Sequence, residues 1–293
     1  MKVIQVSKKE LDLKEWVKRS AKETDYSTLI TEPCIVMCDG EVKIIYDILD
    51  EDTSDVAKAL QKIKYTTGKR SRGLVSTSRI FGYRPRNEMR QDFCSSTSLA
   101  VEHPKEHEVV ASLIEKIEGR YAENNPKKYE DHKKLVDEKI LPEWRLKKNS
   151  VYTSGIINKN NPLKYHFDTG NFTDVYSTMI VFKHDVEGGF LACPEYDIAF
   201  ALPTNSIIQF DGQGILHGVT PIKQLSKNAY RYSIVYYSLK RMWQCLPISE
   251  EIARIRNQKT LRERTRLETP LTEEEAKLKE EKRAELKNRI GKQ

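Results

Sequence analysis

The chain has 293 residues, of which 38% are hydrophobic and 32% charged, with a formal net charge of +7. That length allows one large domain with appendages or two modest ones, and the composition excludes a mini-scaffold, a collagenous chain and a low-complexity one. No apolar run approaches the roughly 18 residues of a membrane span, and the N-terminus lacks the apolar stretch of a secretory signal, so a protein inside a cell with no membrane partner is expected.

In chain order, the first 65 residues alternate strand-like runs (3–6, 34–37, 42–48) with helix-like ones (11–22, 54–63), a small α/β lead-in packed on the core. Cys34 and Cys38 fall in the run CIVMC, where strand alternation points both side chains to one face. With Cys94, Cys193 and Cys245 they make an odd, scattered set without a repeated Cys-x-x-Cys, which in a chain lacking an export signal reads as reduced thiols.

Over 61–90 nine basic residues stand against the single acidic Glu88, a local +8 that leaves −1 for the remainder. This density suits the neutralisation of nucleic-acid phosphates; a solvated loop with structural arginines is the plainer reading. The stretch GKRSRGLVSTSRIFGYRPRN is rich in Gly, Ser and Arg, carries Pro85, and predicts a largely irregular segment. From 104 to 141 apolar residues recur at helical spacing and break at Asn124-Asn125-Pro126, predicting two helices.

After Pro142 the pattern changes to short runs (151–157, 175–182, 189–192, 197–202, 206–211 and 230–239) separated by turn residues, the mark of a sandwich or barrel such as a jelly roll. The fold class is therefore α+β, with one domain over 66–249 and helices at about 105–141. The last stretch, 250–293, has 13 basic and 10 acidic residues and no strand signal. A helix to about Leu267 and a second, exposed one are predicted there, with Thr272 and Glu275 as a capping box and Gly291 as a stop.

Within the β region His166 and Asp168 form an H-x-D pair whose side chains, two apart on an extended chain, project to one side. His217 follows in GILHGVTPI, where the flanking glycines allow close backbone approach. Two histidines and a carboxylate make the facial triad of a non-haem Fe(II) oxygenase, which leaves coordination positions open. In the strand YRYSIVYYSL, Arg231 and Ser233 again share a face; a guanidinium fork and a hydroxyl can hold the distal carboxylate of a small dicarboxylic acid.

The succession HFD, EGGFL, ILHG and RYS resembles the 2-oxoglutarate and Fe(II)-dependent dioxygenase superfamily. The resemblance implies a double-stranded β-helix (jelly-roll, cupin-like) core over about 151–239 and Fe(II), 2-oxoglutarate and dioxygen as cofactor and cosubstrates. His166, Asp168 and His217 would bind the iron, and Arg231 and Ser233 the 2-oxoglutarate C5 carboxylate. A narrower likeness comes from Asn171, which extends the pair to H-x-D-x-x-N, and from IFGYRPRN upstream. These resemble oxygenases of the ten-eleven-translocation and J-binding-protein type, implying hydroxylation of a C5 methyl group in DNA, with thymine to 5-hydroxymethyluracil preferred. Asn171 would contact a base that is flipped out or single-stranded, and Arg84 and Arg86, within the basic segment, would contact phosphates.

Other readings stay open for these residues. The same chemistry could act on 5-methylcytosine, another alkylated base, a free nucleotide or a prolyl side chain, and a degenerate scaffold would leave an inactive DNA-binding module. His103, His107, His132 and His184 read as surface or capping residues, Gly188 and Gly189 as a tight turn, and Tyr230, Tyr232, Tyr236 and Tyr237 as ordinary strand residues. By analogy the compartment is the cytoplasm of a phage-infected bacterium, or a nucleus in a eukaryote.

Overall fold

Short strands dominate the first 245 residues of this computed structural model, which describes residues 1–69, 75–86, 93–268 and 272–290. The N-terminal segment supplies β1 (Lys2–Gln5), the single turn α1 (Leu13–Trp16), β2 (Thr28–Ile30), β3 (Cys34–Cys38), β4 (Glu41–Ile48) and α2 (Ser54–Lys62). Next come β5 (Thr66–Lys69), β6 (Val75–Arg84), β7 (Ser95–Ser96), α3 (Ser98–Glu102), α4 (Pro104–Asn124) and α5 (Pro126–Lys139). The chain then runs through β8 (Ser154–Lys159), β9 (Ser177–His184), β10 (Val186–Gly188), β11 (Leu191–Cys193), β12 (Ile198–Phe200), β13 (Ser206–Phe210), β14 (Gly218–Val219), β15 (Ile222–Gln224) and β16 (Tyr230–Tyr237).

The large sheet has the order β1-β3-β4-β13-β9-β16-β8-β6-β5, with β7 beside β6, and a smaller sheet runs β14-β11-β12-β2. The two share one core, in which Met179, Val181 and Ile208 of the large sheet meet Leu191, Ile198 and Phe200 of the small one. This is the double-stranded β-helix, and the N-terminal strands widen both of its sheets. Along β16 alternate side chains face opposite ways. Arg231, Ser233, Val235 and Tyr237 share the inner face, while Tyr236 reaches out to donate its hydroxyl to the Val110 carbonyl of α4 at 2.7 Å. Helix α4 starts at Pro104 and buries Val110, Ile114, Ile117 and Tyr121, an i, i+4, i+7, i+11 stripe that covers the outer face.

Several local expectations are corrected. The helix expected over 11–22 is one turn: Lys18 takes φ +73° and donates its N–H to the Tyr165 carbonyl at 2.8 Å, so tertiary pairing replaces the next helical bond. The basic stretch expected to be irregular contains strand β6, because β8 pairs with it from Ser78↔Asn158 to Gly82↔Ser154 and satisfies its backbone. Arg70, Arg72 and Arg90 of that stretch lie outside the described residues. His132 is not a surface residue: it is 1% exposed, and its Nε2 lies 2.8 Å from Ser238 Oγ. His107 is half-buried and accepts the Gly82 N–H at 3.0 Å.

The reduced-thiol reading fails for one pair. Cys94 and Cys245, 151 residues apart in sequence, form a disulfide with Cα atoms 5.7 Å apart. Nothing in their spacing signals this, because folding alone brings the approach to β7 beside the turn that follows β16. Cys34, Cys38 and Cys193 are free and buried, and burial pushes the Cys34 thiol up to about 11.

A second unit, Leu246–Gln293, contains α6 (Ile248–Glu268) and α7 (Glu273–Ile290). Both halves of the capping box form: the Glu275 N–H donates to Thr272 Oγ1 and the Thr272 N–H to Glu275 Oε2. Gly291 lies outside the described residues. Among the described residues no helix is long and apolar enough to cross a membrane.

Candidate active site

His166 and His217 face each other across an isolated antiparallel bridge, each donating its N–H to the other's carbonyl, at 2.9 and 3.2 Å. Residues opposite one another in such a bridge put their side chains on one side, and the two rings stand 4.4 Å apart. Each Nδ1 lies against a carbonyl two residues earlier, Lys164 O at 2.8 Å and Ile215 O at 2.9 Å. An Nδ1–H donated there leaves each Nε2 with its lone pair, and both Nε2 atoms face Asp168 Oδ1, at 3.7 and 4.0 Å. The three ligand atoms lie within 4.8 Å of one another, the one cluster of this kind among the described residues. Two imidazoles and a carboxylate at this spacing fit a divalent metal such as Fe(II).

Asp168 reaches this point through the turn after β13, since its N–H donates to Gly212 O at 2.7 Å. The cluster lies on a cavity of about 330 Å³ walled by Leu163, Met179, Leu191, Phe210, Val219 and Val235. Asn171 and Ser233 also line it. Asn171 is buried and donates Nδ2 to Ser177 Oγ at 2.9 Å, while Ser233 Oγ accepts from Asn158 Nδ2 at 3.4 Å.

Arg231, on the inner face of β16 two residues before Ser233, is 1% exposed. Its Nε and Nη2 have no hydrogen-bond partner in the protein, and burial pulls the guanidinium down to about 10. A buried cation left unpaired is costly, and a guanidinium in this state fits a carboxylate such as the distal end of 2-oxoglutarate, while Arg231 itself is not among the residues that line the cavity. Gly189, at φ +69°, makes the room: a Cβ there would lie 2.7 Å from Arg231 Cδ. Gly188 and Gly189 do not form the expected tight turn: Gly188 ends strand β10, both take positive φ, and the Gly189 N–H donates across to Pro221 O at 2.9 Å.

The fold thus brings His166, Asp168, His217, Asn171 and Ser233 to one cavity, with Arg231 beside Ser233. Arg84 and Arg86 are not among its lining residues; they stand at the end of β6, where Arg84 Nη2 donates to Ser95 Oγ at 3.4 Å. Asn158, Gly212, Tyr237 and Leu239 belong to the site without having been singled out for it. Alternation along β16 from Arg231 and Ser233 would have pointed to Tyr237, which is more than an ordinary strand residue.

Residues 79–240 match the Tet_JBP family, described as the oxygenase domain of the 2OGFeDO superfamily. The bifunctional helicase and thymine dioxygenase JBP2 of Trypanosoma brucei brucei is 30% identical over 146 residues, covering 50% of this chain and 13% of that protein. Thymine dioxygenase JBP1 of Trypanosoma brucei brucei is 27% identical over 146 residues, covering 49% and 17%. The chain therefore spans less than a fifth of the length of either curated relative. Among solved structures, NgTET1 in complex with 5mC DNA superposes with a TM-score of 0.54 at 13% identity, covering 78% of this chain and 90% of that one, a likeness of fold. With the family match extending over more than half of its length and across all three clustered ligands, the chain belongs to the Tet_JBP family of 2OGFeDO oxygenase domains.

Proposed function

We propose that this protein hydroxylates the C5 methyl group of a pyrimidine in DNA, converting thymine to 5-hydroxymethyluracil. The observation that carries the reading is a His-Asp-His cluster on the same cavity as Ser233, with the buried, unpartnered guanidinium of Arg231 two residues away on that face. His166, Asp168 and His217 would hold Fe(II), and Arg231 with Ser233 would hold the distal carboxylate of 2-oxoglutarate. When bound, iron, 2-oxoglutarate and dioxygen supply the oxidising power that places one oxygen atom on the methyl carbon and leaves succinate and carbon dioxide.

The chain's own residues orient and exclude. Leu191, Phe210, Val219 and Val235 give the cavity a largely apolar wall, which accommodates a methyl group better than a charged one. Asn171 would read the edge of the base with its side-chain amide. A base stacked in a duplex cannot enter an enclosed pocket, so the target would be flipped out or single-stranded. Arg84 and Arg86 would meet the phosphates. The thymine dioxygenases among the relatives support thymine as the acceptor.

The test is anaerobic loading with Fe(II) and 2-oxoglutarate, exposure to air with thymine-containing or 5-methylcytosine-containing oligonucleotides, and mass spectrometry of the nucleosides. A gain of one oxygen on thymidine is expected. The same gain on methylcytidine alone would keep the chemistry and replace the substrate, and succinate without a modified nucleoside would move the substrate elsewhere.

A further inference from the structure

The strand that carries Arg231 and Ser233 leads directly into a turn that the reaction leaves without a role. After the cavity-lining residue Leu239 the chain makes a short 3-10 turn, Lys240–Gln244. Met242 is buried beneath it, while Lys240, Arg241 and Trp243 face solvent. Trp243 is 54% exposed and is the one aromatic among the exposed large hydrophobic side chains of the described residues. The turn thus presents a flat apolar indole face beside two exposed cationic side chains.

The turn is also firmly held. The Lys240 N–H donates to Gly170 O at 2.9 Å, and the Phe172 N–H to Ser238 O at 3.1 Å, so the turn is stitched to the stretch that carries Asn171. Two residues beyond Trp243, Cys245 is bonded to Cys94. Cys94 directly precedes Ser95, which pairs with Arg84 across β7 and β6 and accepts its side chain. One scaffold therefore joins the cavity wall, Trp243 and the Arg84 end of the basic segment. At about 2 Å of rise per residue, Trp243 lies about 8 Å along the turn from Leu239, a distance that suits the nucleotide next to one already inside the cavity.

We propose that the turn Lys240–Gln244 is a nucleic-acid contact in which Trp243 stacks on a base neighbouring the one that enters the cavity, with Lys240 and Arg241 toward the backbone phosphates. The assignment rests on the DNA reading above. An indole on a rigid turn offers a large flat face at little entropic cost, and base stacking of this kind tolerates any sequence. Its occupant is a single-stranded or locally opened strand, because a base in a closed duplex exposes no face to stack on.

Fluorescence titration with a thymine-containing single strand, and with a duplex carrying one mismatched thymine, tests this. Trp144 is buried and Trp16 lies under Arg19, so Trp243 is the tryptophan open to quenching by DNA. Binding should quench the emission of the unaltered protein. Trp243→Phe should lose that quench and hold affinity within about twofold, whereas Trp243→Ala should weaken binding about tenfold. Both variants should bind 2-oxoglutarate as before, measured by calorimetry with Mn(II) in place of iron. Equal DNA affinity in Trp243→Ala, or a quench that survives in Trp243→Phe, would overturn the assignment alone. Failure of the unaltered protein to bind either oligonucleotide would overturn the DNA reading together with it.

Discussion

Asp168 and Gly212 are in contact: the Asp168 N–H donates to Gly212 O at 2.7 Å, and a Cβ on residue 212 would stand 2.3 Å from Asp168 Oδ2. The carboxylate occupies the room that any other residue's side chain would take. Gly212→Ala should therefore push the carboxylate off its place between His166 and His217 while leaving the sheets intact. The expected result is at least about tenfold weaker Mn(II) binding by calorimetry, with an unchanged far-ultraviolet spectrum. Equal metal affinity in the variant would mean that this contact does not hold the carboxylate.

Arg231 makes an opposite pair of predictions for the empty and the loaded protein. Its guanidinium is buried with two nitrogens unpaired, so Arg231→Met should stabilise the protein in the absence of 2-oxoglutarate, by about 1 kcal/mol or more. The same variant should lose the rise in melting temperature that 2-oxoglutarate gives the unaltered protein, because the ligand stabilises only what binds it. Scanning calorimetry of both proteins with and without 2-oxoglutarate checks this. An equal ligand-induced shift in the two would remove Arg231 from the cosubstrate site.

His132 gives stability a defined pH dependence. Ser238 Oγ donates to Val151 O at 2.6 Å, so it accepts from Nε2–H of a neutral imidazole, and burial lowers the ring's pKa to about 3. Its unfolded value is about 6.5, so between the two the unfolded chain takes up a proton that the folded one refuses. Stability is complete above about pH 6.5 and falls as the pH drops toward 3. His107, also lowered by burial, acts in the same direction. The Glu118 carboxyl is raised by burial, and its contribution has the opposite slope, fading as the pH climbs above the ordinary carboxylate range. Urea unfolding from pH 7.5 to 4.5 should show the net fall, and His132→Gln, which keeps a donor to Ser238, should flatten it. An identical slope in the variant would place the titration elsewhere.

How much of this was legible in sequence depends on how each contact is made. His166, Asp168, His217, Arg231 and Ser233 could be named because extended-chain alternation and a recurring motif order fix residue types at short offsets. Gly212 could not, since its role is an absence of side chain opposite Asp168, 44 positions away. Asn158 enters the cavity by the pairing of β8 with β16, and that pairing is invisible to local periodicity. Strand β6 reads as irregular because Gly, Ser and Arg have weak strand preference alone, and partner strands override it. His132 sits among charged residues of α5, yet one face of that helix is buried, and a short polar stretch hides which face.

The disulfide is the feature whose test reaches furthest. Cys94 and Cys245 close a loop of 151 residues, and linking positions so far apart removes chain entropy from the unfolded state, up to about 5 kcal/mol on the loop-entropy account. Unfolded without reductant, the protein should show three titratable thiols, those of Cys34, Cys38 and Cys193, and five after reduction. Cys245→Ser should lower the melting temperature and leave metal binding nearly unchanged, because neither cysteine lies against His166, Asp168 or His217. It should also weaken DNA binding in step with Trp243→Ala, since releasing Cys245 frees the end of the turn that presents the indole. Five thiols before reduction would show that the two sulfurs are not bonded in solution. The firmness of the turn would then rest on its hydrogen bonds, among them Lys240 N–H to Gly170 O and Phe172 N–H to Ser238 O, and on the burial of Met242.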